Sequence, residues 1–256
     1  MADMIEVEGL TKLYGDFAAV TDLSFVVRSG QLLGLVGPNG AGKTSTLRCL
    51  AGIIPPTRGR VQIAGHDLAQ APVAAKQELA FFPDEPRLFD YLTIRQHLEF
   101  TARLYQVADA AARIPPLLTE LELTDRADHL PAELSRGMKQ KVALACGLIH
   151  SPKVVFFDEP LTGLDPLAIR RMKDTIRRLG QEGAAIVISS HLLHLLEELC
   201  SHVLILKKGV RVAYGTLAEV RQEFAGHEGA SLEDVFIRIA TDDSAGAVPP
   251  VQAPPA

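Results

Sequence analysis

The chain is poor in cysteine and has no long apolar run. Its three cysteines, Cys49, Cys146 and Cys200, lie far apart and form no Cys-x-x-Cys pair. This sparse set predicts the reduced, packed thiols of a cytosolic protein rather than a disulfide framework. The N-terminus lacks a basic region followed by an apolar one, and no apolar run approaches the roughly 18 residues of a membrane span. We therefore expect neither a signal peptide nor direct membrane insertion.

An excess of basic residues is also missing. The 256 residues include 26 Lys and Arg against 31 Asp and Glu, a net charge of −5, so free nucleic acid is not an expected partner. With 47% hydrophobic residues, the chain can bury one sizeable core. Residues 241–256 are rich in proline and alanine and contain no basic residue, which predicts a disordered tail. This leaves residues 1–240 as one predicted domain.

The most informative segment is a glycine-rich loop at residues 37–44. An apolar run precedes it and a helical pattern follows, which is the arrangement of a phosphate-binding loop. Glycines let backbone N–H groups approach phosphate oxygens, and the helix N-terminus adds its positive dipole end. Lys43 supplies a charge for the β- and γ-phosphates of ATP, and the Thr44 hydroxyl is a ligand for Mg²⁺. The predicted ATP-contacting residues here are Gly37, Pro38, Asn39, Gly40, Ala41, Gly42, Lys43, Thr44 and Ser45.

The rest of the pattern indicates an α/β fold. Residues 5–36 alternate apolar and polar positions between glycines, as expected of several strands with turns. Apolar residues recur at helical spacing further on, and we expect a helical subdomain over about 86–150. The apolar run 185–189 predicts a buried strand. A helix is predicted to begin at Pro166, with Asp165 as its N-cap.

Two acidic residues follow another short apolar run, Val154–Phe157. This run predicts a buried parallel strand, which would place Asp158 and Glu159 at the sheet edge that holds the phosphate loop. Asp158 fits a Mg²⁺ ligand, and Glu159 fits a general base that deprotonates water. The alternative is that both carboxylates only cap a strand. The phosphate loop in the same chain favours the chemical role.

Six segments, in this order along the chain, make residues 4–240 similar to the ATP-binding subunit of an ATP-binding-cassette (ABC) transporter. No single segment is decisive, but the six together in sequence are highly specific. They are Leu13-Tyr14-Gly15, the phosphate loop, the signature-like Leu134-Ser-Arg-Gly-Met-Lys-Gln140, the hydrolytic strand with Phe156–Pro160, the partner-facing loop Leu161–Pro166, and Ser189-Ser-His191.

The resemblance implies a fold and a set of residue roles. The expected fold is an ABC-type P-loop NTPase with a mostly parallel core sheet, an antiparallel β subdomain and a helical signature subdomain. Tyr14 would stack on adenine, and Ser135 and Gly137 would contact the γ-phosphate of an ATP held by a second subunit. His191 would contact the γ-phosphate and help hold the attacking water. A metal site built on His191 and His194 is disfavoured, because no further ligand is placed to complete it.

The chain departs from the family pattern at two places. Arg136 stands where the signature usually has a glycine and Met138 where it has a glutamine, although the two phosphate-contacting positions are retained. Asp84 takes the place of a glutamine that senses the γ-phosphate. Since Asp84 is shorter and charged, we interpret it as a nucleotide-site residue that can reach Mg²⁺ through water. These departures, and the segment Ser231–Phe236, resemble the exporter branch in which ATPase and permease are separate chains.

The function predicted from the resemblance is that of an ATP-hydrolysing motor subunit. Two such subunits would sandwich two ATP molecules head to tail, on the cytoplasmic face of a separate integral-membrane permease, and homodimer and heterodimer both fit. Export is favoured over an importer role. An ABC ATPase acting on nucleic acid or ribosomes is disfavoured by the single cassette and the absence of a basic stripe. A nucleotide-binding regulator without turnover is disfavoured by Glu159.

A permease contact is predicted where the Asp84 loop meets the helical region. The residues concerned are Glu85, Arg87, Leu88 and Phe89. Two interpretations of the apolar pair are open: Leu88 and Phe89 pack into the core of their own domain, or they form an exposed anchor for a groove in the permease.

Overall fold

The computed structural model of the chain describes residues 2–225 and 231–241. Apart from Thr241, which ends the last helix, the predicted tail lies outside these residues. The strands are β1 (Asp3–Tyr14), β2 (Phe17–Arg28), β3 (Leu32–Val36), β4 (Arg58–Ile63), β5 (His66–Asp67), β6 (Leu79–Phe82), β7 (Val154–Asp158), β8 (Ala185–Ser189), β9 (His202–Lys207) and β10 (Val210–Thr216). The helices are α1 (Lys43–Leu50), α2 (Pro72–Gln77), α3 (Ile94–Leu104), α4 (Ala110–Glu120), α5 (Arg136–Leu148), α6 (Pro166–Gln181), α7 (Leu193–Leu199), α8 (Leu217–Ala225) and α9 (Leu232–Thr241).

The first strands form an antiparallel sheet with the order β2-β1-β4-β5. Alternating side chains of β1 and β2 are buried, which accounts for the two-residue apolar period of the sequence. Where β4 begins beside β1, Gly59 has a φ of +91°, and a Cβ there would lie 2.5 Å from the carbonyl carbon of Gly9. Only glycine lets the two backbones approach this closely.

The second sheet has the order β10-β9-β3-β8-β7-β6, and all its pairs except β10 with β9 are parallel. Strands β3, β7 and β8 are buried along their whole length, because helices cover one face and the antiparallel sheet, with α1 and α2, covers the other. A mostly parallel core sheet with an antiparallel β subdomain is the fold class that the sequence predicts, and this prediction is confirmed.

Helices α3, α4 and α5 lie between β6 and β7 in the sequence and form the helical region. Phe82, at the end of β6, stacks on Phe157 with 4.8 Å between ring centroids. Gly147 of α5 lies against the same ring, since a Cβ at this position would come within 2.3 Å of Phe82 Cζ. The helical region is thus packed directly on the edge of the core sheet.

Two further findings concern the described residues as a whole. None of their helices combines the length and the apolar character that crossing a membrane requires. All three cysteines are free, with Cys49 and Cys200 buried and Cys146 half-buried. Burial raises the pKa of the Cys200 thiol to about 12, so this thiol is protonated and inert at neutral pH.

Candidate functional site

Most of the predicted site residues follow four neighbouring strands of the core sheet. In the spatial order β3, β8, β7 and β6, the strands run parallel, and their carboxyl ends therefore meet at one edge. The glycine loop follows β3, and Ser190 and His191 follow β8. Asp158 ends β7 with Glu159 next to it, and Asp84 lies two residues beyond β6. The topology thus brings residues as far apart in the sequence as 37 and 191 to one edge of the sheet.

The loop between β3 and α1 is shaped by its glycines. Gly40 and Gly42 have φ values of +77° and +101°, in the left-handed region that favours glycine. A Cβ on Gly42 would lie 2.3 Å from the carbonyl oxygen of Ala19, so the loop passes directly beneath β2. Helix α1 begins at Lys43 without a side-chain cap. Because the first N–H groups of a helix have no acceptor within it, they are available to an anion.

The Lys43 ammonium group folds back over this loop. Its Nζ atom donates to the carbonyl oxygens of Gly37 at 2.7 Å and Pro38 at 3.2 Å. Burial lowers the pKa of Lys43, while the nearby charges of Glu159 and Asp158 act in the opposite direction. A partly desolvated cation at the start of a helix is suited to binding phosphate.

Asp158 lies next to the hydroxyl that the sequence assigns to Mg²⁺. Thr44 Oγ1 is 3.4 Å from Asp158 Oδ1, and the Ser189 hydroxyl donates to the same carboxylate oxygen at 2.6 Å. A hydroxyl and a carboxylate oxygen side by side fit Mg²⁺, which takes few protein ligands and completes its shell with water and phosphate. Among the described residues, no group of three or more His, Cys, Asp or Glu side chains could hold a metal ion. His191 and His194 therefore belong to no such group.

Glu159 and His191 are in direct polar contact at the sheet edge. The Nδ1 atom of His191 is 2.8 Å from Glu159 Oε2, which also accepts from the His191 backbone N–H at 3.3 Å. The Thr162 hydroxyl is 3.4 Å from this oxygen. Glu159 has a φ of +52°, and its N–H donates to Ser189 Oγ and to the Ser189 carbonyl oxygen, both at 3.1 Å. These bonds hold a carboxylate and an imidazole together at the sheet edge.

The signature-like segment lies at the N-terminus of α5. Ser135 is the N-cap, and its hydroxyl accepts from the Met138 N–H at 3.3 Å. Ser135 is exposed and Gly137 half-buried, and a Cβ on Gly137 would meet nothing within 4 Å. Open space around an exposed helix N-terminus leaves its N–H groups accessible to an anion from outside the chain.

Comparison with known proteins agrees with this arrangement. The pattern of the family described as ABC transporter matches residues 20–162. The ABC-type transporter ATP-binding protein EcsA of Bacillus subtilis is 35% identical over 94% of this chain and 98% of its own length. The Nod factor export ATP-binding protein I of Burkholderia orbicola is 37% identical over 82% of this chain and 70% of its own. A solved structure of an ATP-binding subunit of an ABC transporter has a TM-score of 0.88 and 37% identity, covering 93% of this chain and 99% of its own.

The chain belongs to the ABC transporter family. Within it, the chain is an ATP-binding subunit, an ATPase whose activity is coupled to transport. Tyr14, predicted from the resemblance to stack on adenine, lies at the end of β1 and is 47% exposed, with Lys12 Nζ 5.1 Å from its ring centroid. This exposure leaves one face of the ring open for stacking.

Three residues of this ABC ATPase site were not predicted from the sequence. Ser189 joins Asp158 to the backbone of Glu159, and Thr162 contacts the Glu159 carboxylate. Gln140, buried in α5, donates from Nε2 to the carbonyl oxygen of Pro160 at 3.2 Å. The available signal for Ser189 was its position in the Ser189-Ser-His191 segment, at the end of a buried strand. Neither Thr162 nor Gln140 stands at a strand end, so the sequence carried no comparable signal for them.

The loop predicted to meet a permease borders a cleft of 820 Å³ between the core sheet and the helical region. Leu88 is half-buried and packs against the main core, whereas Phe89 is 57% exposed. The Phe89 ring packs edge-on against Phe100 with centroids 5.4 Å apart. The backbone N–H of Phe89 donates to Nε2 of the buried His97 at 2.9 Å. Of the two interpretations, the core position describes Leu88 and the exposed position describes Phe89.

Proposed function

We propose that this chain hydrolyses ATP to energise a separate membrane permease, that it works as a head-to-tail dimer, and that transport is in the direction of export. The observation that carries the proposal is the meeting, at one sheet edge, of a phosphate-binding loop and a carboxylate–imidazole pair. The 2.8 Å contact between Glu159 and His191 brings the candidate base into hydrogen-bonding distance of a residue that can orient it.

The proposed chemistry divides between binding and proton transfer. Lys43 and the N–H groups at the start of α1 bind the β- and γ-phosphates. Glu159 takes the proton of the attacking water, and His191 holds the Glu159 carboxylate and the γ-phosphate in position. Thr44 and Asp158 would hold Mg²⁺, which neutralises charge on the phosphates when bound.

The dimer is proposed because Ser135 and Gly137 lie at a helix N-terminus that is open to an anion from outside the chain, and the resemblance implies that this anion is the ATP of a second subunit. A second copy, or a related subunit, would present its ATP to this site. Each active site would then combine the loop at 37–44 of one chain with the signature of the other, and closure would require two nucleotides.

Export is supported by the relative named for Nod factor export and by the exporter-like sequence of residues 84–86 and 231–236. We place the permease contact at the 820 Å³ cleft, where exposed Phe89 stands beside Arg87 and Glu85. Protein interfaces commonly have an aromatic anchor at the centre and polar or charged residues at the rim. Because ATP is supplied by the cytoplasm, the subunit would sit on the cytoplasmic side of the membrane.

Mixing two inactive variants tests the composite site. A Lys43→Ala chain retains its signature but loses its loop, and a Ser135→Arg chain retains its loop but loses its signature. Each homodimer has two broken sites, whereas the mixed dimer has one intact site. We expect ATPase activity to appear on mixing. An inactive mixture in which mixed dimers are demonstrated would contradict the head-to-tail arrangement.

A further inference from the structure

Two of the three residues at which the chain departs from the ABC pattern, Asp84 and Arg136, contact each other. Arg136, the first residue of α5, places a guanidinium nitrogen 3.6 Å from Asp84 Oδ1, with the side chains 52% and 50% exposed. Asp84 lies in the loop after β6, on the core sheet, whereas Arg136 belongs to the helical region. The ion pair therefore crosses the boundary between the two parts of the chain, at the base of the signature.

Arg136 also contacts the loop that follows Glu159. Gly163 has a φ of +72°, and a Cβ on it would lie 3.2 Å from Arg136 Cζ, so the guanidinium lies against the Gly163 backbone. About one turn further along α5, Gln140 is bonded to the carbonyl oxygen of Pro160 at 3.2 Å. The N-terminal part of α5 therefore contacts the core at two positions, and Arg136 makes the contact nearest to Ser135.

Asp84 lies close both to the start of α5 and to the candidate nucleotide site. Its carboxylate lies near the N-terminus of α5, where the helix dipole favours a negative charge. Asp84 also borders the same cleft as Asp158, the candidate Mg²⁺ ligand. One carboxylate therefore stands between the nucleotide site of its own chain and the signature that serves the opposite site.

We propose that Asp84 and Arg136 are positioning residues that orient Ser135 and Gly137, so that their ion pair supports hydrolysis of the ATP bound to the other subunit. This rests on the proposed head-to-tail dimer. The competing assignment is that Asp84 acts directly on the nucleotide of its own chain, through Mg²⁺. The two assignments place the effect of an Asp84 substitution in different active sites.

The mixed dimer separates them. In the mixture, the Lys43→Ala chain contributes only a signature, and the Ser135→Arg chain contributes only a loop. We expect Asp84→Asn in the signature-giving chain to lower kcat by about two- to fivefold, the range of a half-exposed ion pair. The same substitution in the loop-giving chain should leave kcat much less affected, because the signature that this chain carries is already inactive.

Further variants of the signature-giving chain test the pairing. Arg136→Met should cause the same loss as Asp84→Asn, and the double variant should lose no more than either, since both remove one interaction. Arg136→Lys keeps the charge and should restore much of the activity. The matched control is Arg95→Met, which breaks the exposed Arg95–Asp128 pair within the helical region and should change nothing.

Three results would overturn the inference. A loss confined to Asp84→Asn in the loop-giving chain would assign Asp84 to its own nucleotide. Losses that add in the double variant would show two independent roles, and unchanged activity in every variant would show that the pair positions nothing. An inactive reference mixture, seen before any Asp84 variant is added, would instead refute the dimer and remove this inference with it.

Discussion

Replacing Glu159 with glutamine is expected to separate ATP binding from ATP hydrolysis. Glutamine has the same length, and its amide oxygen can accept from the His191 N–H and the Thr162 hydroxyl that now contact Glu159 Oε2. What the substitution removes is the proton acceptor. We expect hydrolysis to fall by about 10²–10⁴-fold, or roughly 2.7–5.5 kcal/mol in activation free energy.

A second substitution distinguishes loss of the base from displacement of the side chain. Glu159→Asp keeps a base but withdraws it by one methylene, and a displacement of about 1 Å costs on the order of 10²-fold. We therefore expect Glu159→Asp to be impaired but more active than Glu159→Gln. The matched control is Glu182→Gln, which removes an exposed carboxylate 3.1 Å from Arg178 at the end of α6 and should hydrolyse normally.

The assay is phosphate release at saturating ATP and Mg²⁺, with ATP binding measured separately on the same preparations. Because the Glu159→Gln variant binds ATP without consuming it, size-exclusion chromatography in ATP and Mg²⁺ should show a dimer that the wild type does not accumulate. If Glu159→Gln releases phosphate at the wild-type rate, Glu159 is not the base. If it fails to bind ATP, the substitution has disrupted the nucleotide site, and the expected separation of ATP binding from hydrolysis is wrong.

The remaining predictions concern binding, docking and stability. Lys43→Ala should abolish hydrolysis and weaken ATP binding by about 30- to several-thousand-fold in calorimetric titration, as loss of a buried charge contact of 2–5 kcal/mol does; wild-type turnover would disprove the loop assignment. Arg87→Glu with Phe89→Ala should preserve ATPase activity but abolish co-purification with the permease, and a folded variant that still binds would move the interface elsewhere. In denaturant titrations, Gly59→Ala should lower the free energy of unfolding by about 1–3 kcal/mol more than Gly65→Ala. Both glycines have a positive φ, but only Gly59 has backbone atoms within 2.6 Å of the added Cβ. Equal losses would show that the backbone around Gly59 shifts to accommodate the methyl group.

The parts of the fold that could be predicted carry strong local signals. Strands β7 and β8 are short apolar runs that are buried on both faces, and such runs indicate parallel strands. The N-cap of α6 was also predictable, since Asp165 accepts from the N–H groups of Leu167 at 3.0 Å and Ala168 at 2.9 Å. The phosphate loop was found because its glycines, its lysine and its flanking elements have a fixed spacing.

Helices α2, α8 and α9 were not predicted, and α2 and α8 were missed for different reasons. Helix α2 has only six residues and no side-chain cap, so it offers too little periodicity to detect. Helix α8 could have been found, because Thr216 and Glu219 exchange side-chain and backbone bonds at 2.8 and 3.2 Å in the pattern of a capping box. The Thr-x-x-Glu spacing is visible in the sequence, directly before Leu217 and its apolar neighbours.

Contacts between distant residues account for the rest. The pairing of Asp84 with Arg136 joins positions in different parts of the fold, and each is exposed, so neither burial nor periodicity marks it. The sequence predicted Ser135 and Gly137 from a motif, but the open space around them at the N-terminus of α5 is visible only in the structure. The catalytic, binding and metal roles assigned to the site residues stay predictions, to be decided by the variants above.

Glu159 has a further consequence for how this chain can change over time. A non-glycine residue with a φ of +52° costs on the order of 1–2 kcal/mol relative to glycine, which adopts this conformation freely. Selection for thermal stability alone would therefore replace Glu159 by glycine or asparagine, whereas selection for turnover retains it. The most strained carboxylate of the site is thus a point where stability and activity are opposed, and libraries screened only for heat resistance should drift toward inactive chains at this position.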